Sequence, residues 1–291
     1  MIYIITPVYN RKNFTQNYLK SLRKQTVKDF KTIIIDDGCT DGTAEMIEEE
    51  FPEVILLKEK GDLWWTAATN IGVKYALKQD DITYVMTLND DTLPHEDYIE
   101  QMLISAKEYP DALFGAFTVD AHSGEPLYGG KPIDWKKCAF NNLIKKPFEK
   151  EYTGLHEVNT FPGRGLLIPI KVFSDIGFYD EKNFPQTVAD DDFTLRATNF
   201  GYKIYCNYDA RIKEYPEESG GVSIRAEKSL KNYYLHLFGF KGEGNLKWFT
   251  IFIIKNAPKK YLLRCLVIGN GRRIVGYLRD WMKESLNKKA Q

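Results

Sequence analysis

Three acidic clusters carry the chemistry this sequence is equipped to do. Asn89-Asp90-Asp91-Thr92 follows the apolar run 82–88, Asp36-Asp37-Gly38 ends the run 30–35, and Asp190-Asp191-Asp192 opens a helical stretch, 188–200. Adjacent carboxylates delivered to the carboxyl end of a buried strand suit a divalent cation held against a phosphate. The same residue types also cap helices, and Pro94 with Glu96 and Asp97 reads as a helix start. For 89–92 alone the two readings stand level. After the first apolar run, where a dinucleotide fold needs GxGxxG, the chain has Pro7-Val8-Tyr9-Asn10-Arg11, and no P-loop follows anywhere. A nucleotide bound without a glycine loop leaves its diphosphate charge without backbone amides. A metal ion must then neutralise it, and Asp90-Asp91 supplies the ligands.

The elements that position these acids alternate between two periods. Runs 2–8, 30–35, 54–57 and 82–88 read as buried strands. Stretches 14–22, 43–50, 66–77 and 96–107 have helical spacing, the third rich in small residues able to pack closely on a sheet. Such alternation predicts right-handed βαβ units and a parallel sheet covered on both faces. Ligands of these sheets bind outside the carboxyl ends of the strands, where residues 7–10, 36–37 and 90–91 all fall. Beyond about residue 110 the alternation stops. A hairpin is expected over 111–128 with its turn at Ser123-Gly124, another strand over 161–169, a helix over 188–200 stopped by Gly201, and aromatic helices from 226 onward.

Composition sets outer limits. With 291 residues, 43% hydrophobic and 14% aromatic, the chain has ample core. Its formal charge is zero but unevenly spread. Residues 255–291 carry ten Lys and Arg against Asp280 and Glu284, a net +8 balanced by −8 over the other 254 residues. Cys39, Cys138, Cys206 and Cys265 form no CxxC pair, so a reducing cytoplasm is expected. The opening Met1-Ile2-Tyr3-Ile4-Ile5-Thr6-Pro7 reads as a strand and not as a leader, and the longest apolar run, 248–254, is far short of a bilayer span.

Thr6-Pro7-Val8-Tyr9-Asn10-Arg11, the stretch Ile35-Asp36-Asp37-Gly38-Cys39-Thr40-Asp41-Gly42-Thr43, Asn89-Asp90-Asp91 and the later acidic helix start together resemble family 2 glycosyltransferases of the GT-A fold. Gly61-Asp62-Leu63-Trp64-Trp65 through Gly72 is similar to the branch with many rhamnosyltransferases and other bacterial surface-polysaccharide enzymes. The resemblance covers roughly residues 1–215. It implies an α/β fold with a Rossmann-like mixed sheet, helices on both faces and a C-terminal helical extension. The expected domains are 1–225, divided into a nucleotide-sugar half 1–110 and an acceptor half 111–225, and a basic amphipathic extension 226–291.

The resemblance also implies roles. Pro7 and Tyr9 would flank the base, and Asp37 would accept the N3–H of uracil or thymine. Arg11, Asp62, Trp65, Asn70 and Asp90 would line the donor, with Arg164 on its phosphates. Asp91 would bind Mn2+ or Mg2+, helped by Asp90. Asp190 would be the catalytic base, with Asp192 as the fallback. Two positions depart from the family's pattern. Ala189 replaces the first acid of the usual Glu-Asp pair, and 209–223 has no histidine to reach the metal, which leaves Glu214 as a substitute oxygen ligand or an extra water. A surface role for Arg164, a core role for the Trp64-Trp65 pair and a packed rather than catalytic His236 stay open or favoured.

The expected activity is inverting transfer from a UDP- or dTDP-sugar to a glycan or lipid-linked acceptor in bacterial cell-surface polysaccharide synthesis. The expected location is the cytoplasm, at the inner face of the plasma membrane. The basic tail can contact a membrane, pack on the catalytic domain or form a homodimer. The alternative reading is a non-catalytic nucleotide-sugar or glycan-binding relative. A nucleotidyltransferase lacks its basic glycine loop here, and a nucleic-acid partner is not expected.

Overall fold

The computed structural model describes residues 1–145, 148, 151–215 and 228–289. In chain order the elements are β1 (Ile2–Val8), α1 (Lys12–Arg23), β2 (Phe30–Asp36), α2 (Thr43–Glu50), β3 (Ile55–Lys58), α3 (Trp64–Ala76), β4 (Tyr84–Thr87), β5 (Thr92–Pro94), α4 (Tyr98–Glu108), β6 (Leu113–Asp120) and β7 (Pro126–Tyr128). There follow β8 (Ile133–Asp134), β9 (Ala139–Phe140), β10 (Leu155–Val158), β11 (Leu166–Pro169), α5 (Ile170–Ile176), α6 (Ala189–Phe200) and β12 (Ile204–Glu214). Among the described residues there follow the α-helices α7 (Leu230–Phe238), α8 (Leu246–Asn256) and α9 (Leu262–Lys289), with a 3-10 turn over Lys259–Tyr261. The chain divides into two compact units.

The first unit comprises residues 1–132, 141–185 and 189–215. Among the described residues, ten strands form one mixed sheet whose main path runs β10-β12-β6-β11-β4-β1-β2-β3. β1 to β4 are parallel, as the alternation of apolar runs with helical stretches predicts, and β11 joins antiparallel to both β4 and β6. The strand order reverses at β1, which lies between β2 and β4, so a crevice opens at the carboxyl ends of β1 and β4. The small-residue face of α3 sets it close to the sheet. A Cβ on Gly72 would lie 2.6 Å from Ile5 Cγ2 and 2.8 Å from Ile35 Cδ1. On the opposite face of the sheet the core is built from Ile4, Tyr18, Ile34, Met86, Tyr98 and Phe114.

Of the two readings of 89–92, helix capping does not hold: residues 92–94 form the short strand β5, antiparallel to the end of β12 with Thr92 opposite Glu214, and the helix expected over 96–107 runs from Tyr98 to Glu108. The backbone N–H of Thr92 is taken by Asn89 O at 3.2 Å, and helix α4 begins only at Tyr98. Pro94 fits because it ends a three-residue strand and needs no ladder donor there. The expected strand over 161–169 is also shorter, beginning at Leu166. The hairpin of β6 and β7 forms as expected, with Gly124 at φ +72 in its turn.

The second unit holds residues 133–140, 186–188 and 216–291. Within it β8 pairs with β9, and Phe140 meets Phe249 and Phe252 of α8. Cys138 and Cys265, distant in sequence, are neighbours here, with the Cys138 thiol donating to Cys265 O at 3.6 Å. His236 is buried beside Tyr277, a packed residue as its aromatic surroundings predict. No helix among the described residues is long and apolar enough to cross a membrane.

Candidate active site

The floor of the crevice starts at the end of β2. Asp36 accepts the Cys39 N–H at 2.7 Å, which tightens the turn through Gly38 at φ +80. A Cβ on Gly38 would sit 3.0 Å from Gly61 Cα, so this turn and the loop before α3 touch through their backbones. Asp37 then reaches across. Its two oxygens accept the N–H groups of Leu63 at 3.0 Å and Trp64 at 3.1 Å. Asp62 and Trp64 have φ of 64 and 61, strained for residues with a side chain, and the carboxylate holds the loop in that form. Asp62 itself points outward and is exposed. Pro7 is half-buried and Tyr9 is 57% exposed at the end of β1.

The acidic pair after β4 is nearly closed off, Asp90 being 4% and Asp91 7% exposed. Arg11 lies against both, its Nε 3.5 Å from Asp90 and its Nη1 3.4 Å from Asp91 Oδ2. Thr15, one turn along α1, donates to Asp90 Oδ2 at 3.1 Å. Burial pushes the Asp90 carboxyl up to about 7, Arg11 and the Thr15 hydroxyl opposing and Asp91 adding to the rise. Asp91 Oδ1 is buried without a hydrogen-bond partner. A buried carboxylate oxygen with nothing to satisfy it is costly, and a cation would remove that cost. The described residues contain no group of three or more His, Cys, Asp or Glu set to cage a metal. One or two carboxylates with the remaining positions left to water and substrate phosphates is a donor set that fits Mg2+ or Mn2+.

Arg164 and Glu214 close the far side. They form an ion pair, and Glu214 is 3% exposed. Tyr215 N–H donates to Asp91 O at 3.3 Å, so the end of β12 is fastened to the acidic pair. Arg164 also faces the Tyr128 ring at 5.6 Å. The structure therefore ties both residues to the site's edge.

Asp190 sits in the first turn of α6, where the helix dipole favours a carboxylate. Its Oδ2 accepts the Gly163 N–H at 3.0 Å and its Oδ1 the Asp191 N–H at 2.9 Å. Burial raises its pKa, Asp191 adding to the effect, while the two amides and Lys131 oppose it. Lys131 Nζ lies 3.4 Å from Asp191 Oδ2. Asp192 is used differently. It is fully buried and paired with Arg196 at 2.9 Å, whose guanidinium also donates to Ile176 O and Phe178 O. Arg196→Met would remove the cation paired with the buried Asp192 charge. The expected cost is about 3 kcal/mol, read as a lowered Tm by calorimetry.

Trp65 connects the two acidic centres. Its Nε1–H donates to Asn89 Oδ1 at 3.1 Å, and its benzo ring covers Gly163, where a Cβ would fall 2.3 Å from Trp65 Cζ2. The same Gly163 holds Asp190. Gly163→Ala is therefore expected to push Trp65 and Asp190 apart, losing about 1–3 kcal/mol of stability and most activity. Comparing Tm and turnover of the variant with wild type checks this. Asn70 is turned to structural use. Both donors of its amide go to Tyr179 O and Glu181 Oε2, and its oxygen accepts the Tyr179 N–H.

Several contacts had no readable sign in the sequence. The Lys131–Asp191 pair joins residues 60 apart with no motif around Lys131. Thr15 could have been found, since it stands four residues after Arg11 and so on the same helix face. His95, His122 and His156 are exposed, consistent with a surface placement.

Residues 3–176 match the profile of Glycosyl transferase family 2. An uncharacterized glycosyltransferase of Rickettsia conorii is 36% identical over 194 residues, 64% of this chain but only 28% of that protein. The Campylobacter jejuni GalNAc(5)-diNAcBac-PP-undecaprenol beta-1,3-glucosyltransferase is 22% identical over 218 residues, 70% of this chain and 71% of its own length. Among solved structures, residues 1–349 of S. aureus TarS in complex with UDP-GlcNAc superpose with a TM-score of 0.59 at 14% identity, covering 96% of this chain and 92% of that one. That likeness concerns the fold.

Proposed function

The chain belongs to glycosyl transferase family 2 with a GT-A fold, and from that premise we propose that it is an inverting, metal-dependent glycosyltransferase using a UDP- or dTDP-sugar. The observation that carries the reading is the join through Trp65 and Gly163, which sets the Asp90-Asp91 pair and the Asp190 carboxylate on one strand-end crevice. Tyr9 and Pro7 flank the base, and Asp37 accepts its N3–H while holding the loop before α3. Asp62, Trp65 and Asn70 belong to the donor side through that loop and the helix it opens. Arg11 and Arg164 meet the phosphates.

Asp91, with Asp90 beside it and Glu214 of the adjoining β12 end as a further carboxylate, would hold Mn2+ or Mg2+, which when bound offsets the charge that gathers on the departing diphosphate. Asp190 takes the proton of the acceptor hydroxyl as the acceptor oxygen forms its bond to the anomeric carbon. The bond from that carbon to the diphosphate oxygen breaks with its electron pair, and the anomeric configuration inverts. Asp192 remains committed to Arg196 and serves to hold the start of α6.

The raised pKa of Asp190 has a kinetic consequence. The base acts only when ionised, so activity falls on the acid side as it takes up a proton. Since burial lifts its pKa, the acid limb of kcat/KM is expected above the ordinary carboxylate range near about 4. A pH–rate profile with a saturating metal concentration reads it.

The named activity of the Campylobacter relative, on an undecaprenol-linked glycan, supports a glycan or lipid-linked acceptor in bacterial polysaccharide synthesis, and we propose that the encounter takes place at the cytoplasmic face of the membrane. Incubation with UDP-, dTDP- and GDP-sugars with Mn2+ or Mg2+ tests the donor. Release of UDP or dTDP is expected; release of GDP alone would refute the assigned base recognition. Binding with no release, with or without glycan acceptors, would favour a non-catalytic relative.

A further inference from the structure

Helix α9 has two apolar faces, and only one is covered. The inner face carries Cys265, Gly269 and Tyr277, all packed within the second unit: Cys265 against Cys138, Gly269 against Phe249, Tyr277 against Tyr233. Along the other side Leu263, Val267, Ile274, Val275, Met282 and Leu286 are between 38% and 75% exposed. At about 100° per residue these six fall inside one arc of about 140°, centred roughly opposite the inner face. A soluble helix pays a hydration cost for such a stripe unless something else receives it.

The charges on the helix are sorted around that stripe. Arg264 lies within the arc, and Arg279, Arg272 and Lys283 lie about 20–60° beyond one end of it, all exposed, Arg272 also donating to Cys138 O at 2.7 Å. The only acids of the helix, Asp280 and Glu284, fall on the inward side, Glu284 paired with Lys228 at 3.1 Å and Asp280 beside Arg279. Just ahead of the helix Lys259 and Lys260 are exposed as well. An apolar stripe edged by cations and cleared of anions is complementary to one class of surface, a bilayer with anionic headgroups. A second copy of the same face would bring Arg against Arg.

We infer that the outer face of α9 is a membrane-docking surface that seats in the headgroup region of an anionic bilayer. The six apolar side chains enter the boundary with the acyl chains, and the Arg and Lys edge meets lipid phosphates. Binding is to the surface only. The inference deepens the reading of a lipid-linked acceptor by naming the surface that brings the enzyme to it, yet its test does not require turnover.

The full chain is sedimented with phosphatidylcholine vesicles with and without phosphatidylglycerol. Binding is expected only with the anionic lipid and is expected to weaken with salt. Val267→Asp with Val275→Asp should lower partitioning by about tenfold or more, and Arg279→Gln with Lys283→Gln by about tenfold, at unchanged Tm. Val267 and Val275 lie on the outer side of the helix, and Arg279 and Lys283 are exposed, so the fold and donor turnover should be retained. Absence of wild-type binding to any vesicle would overturn the inference, as would binding unaffected by both pairs. So would a dimer mass by light scattering that Val267→Asp with Val275→Asp reduces to a monomer, which would give the face to a second copy. Donor turnover measured on the same samples separates these failures from a failure of the transferase reading.

Discussion

Asp91→Ala is expected to cut nucleotide release from the sugar donor about a thousandfold while leaving the protein folded. The reason lies in what the residue is and is not doing. Asp91 Oδ2 has only a long contact to Arg11 at 3.4 Å, and Oδ1 has no hydrogen-bond partner although it is buried. Such a side chain adds little to folding and is placed for something that arrives. Its removal takes away the carboxylate best set to hold the cation. Loss of about 4 kcal/mol of charge stabilisation on a leaving diphosphate corresponds to about 10^3 in rate. Two readouts check it, turnover with Mn2+ or Mg2+ at saturation and Tm without metal. An unchanged or raised Tm with turnover lost fits the account. Full turnover in the variant would remove Asp91 from the site.

Asp190→Asn should cost transfer to the acceptor about as much, roughly 10^3-fold, with nucleotide and metal binding kept. The amide is nearly the same shape and its oxygen can still accept the Gly163 N–H, but it has no basic oxygen for a proton. Burial and the Asp191 charge already disfavour the ionised form, so loss of the charge should not destabilise the first turn of α6. The amide can accept only one of the Gly163 and Asp191 N–H groups, however, and the other bond is lost at about 1 kcal/mol. Slow donor hydrolysis by water can survive, so the ratio of transfer to hydrolysis is the quantity to follow. A fall in that ratio is expected. A variant with transfer intact would move the role of base to another carboxylate.

The fold was legible wherever local pattern and global arrangement agreed. The parallel core β1 to β4 announced itself through apolar runs alternating with helical stretches, and α3 through its small residues, of which Gly72 packs against Ile5 and Ile35. Residues 92–94 stay ambiguous in the sequence because Asn, Asp and Thr, with Pro94, Glu96 and Asp97 behind them, satisfy a helix-start pattern locally. Their real partner, the end of β12, lies 120 residues away. Distance in sequence also hid Lys131 beside Asp191 and Cys138 beside Cys265. The candidate site shows the same division. Motif residues Asp37, Asp90, Asp91 and Asp190 stood out by type and place. The orientation of each had to come from the fold. Asp37 is partly spent on the Leu63 and Trp64 amides, Asn70 wholly on a distant turn, and Asp192 on Arg196. Glu214 belongs beside Arg164, a pairing across 50 residues that no spacing foretells.

The central claim is tested most directly by release of nucleotide from a UDP- or dTDP-sugar, with and without Mn2+, by wild type and Asp91→Ala side by side. The account predicts metal-dependent release by wild type and almost none by the variant. Release that ignores the metal, or that survives in Asp91→Ala, would contradict it.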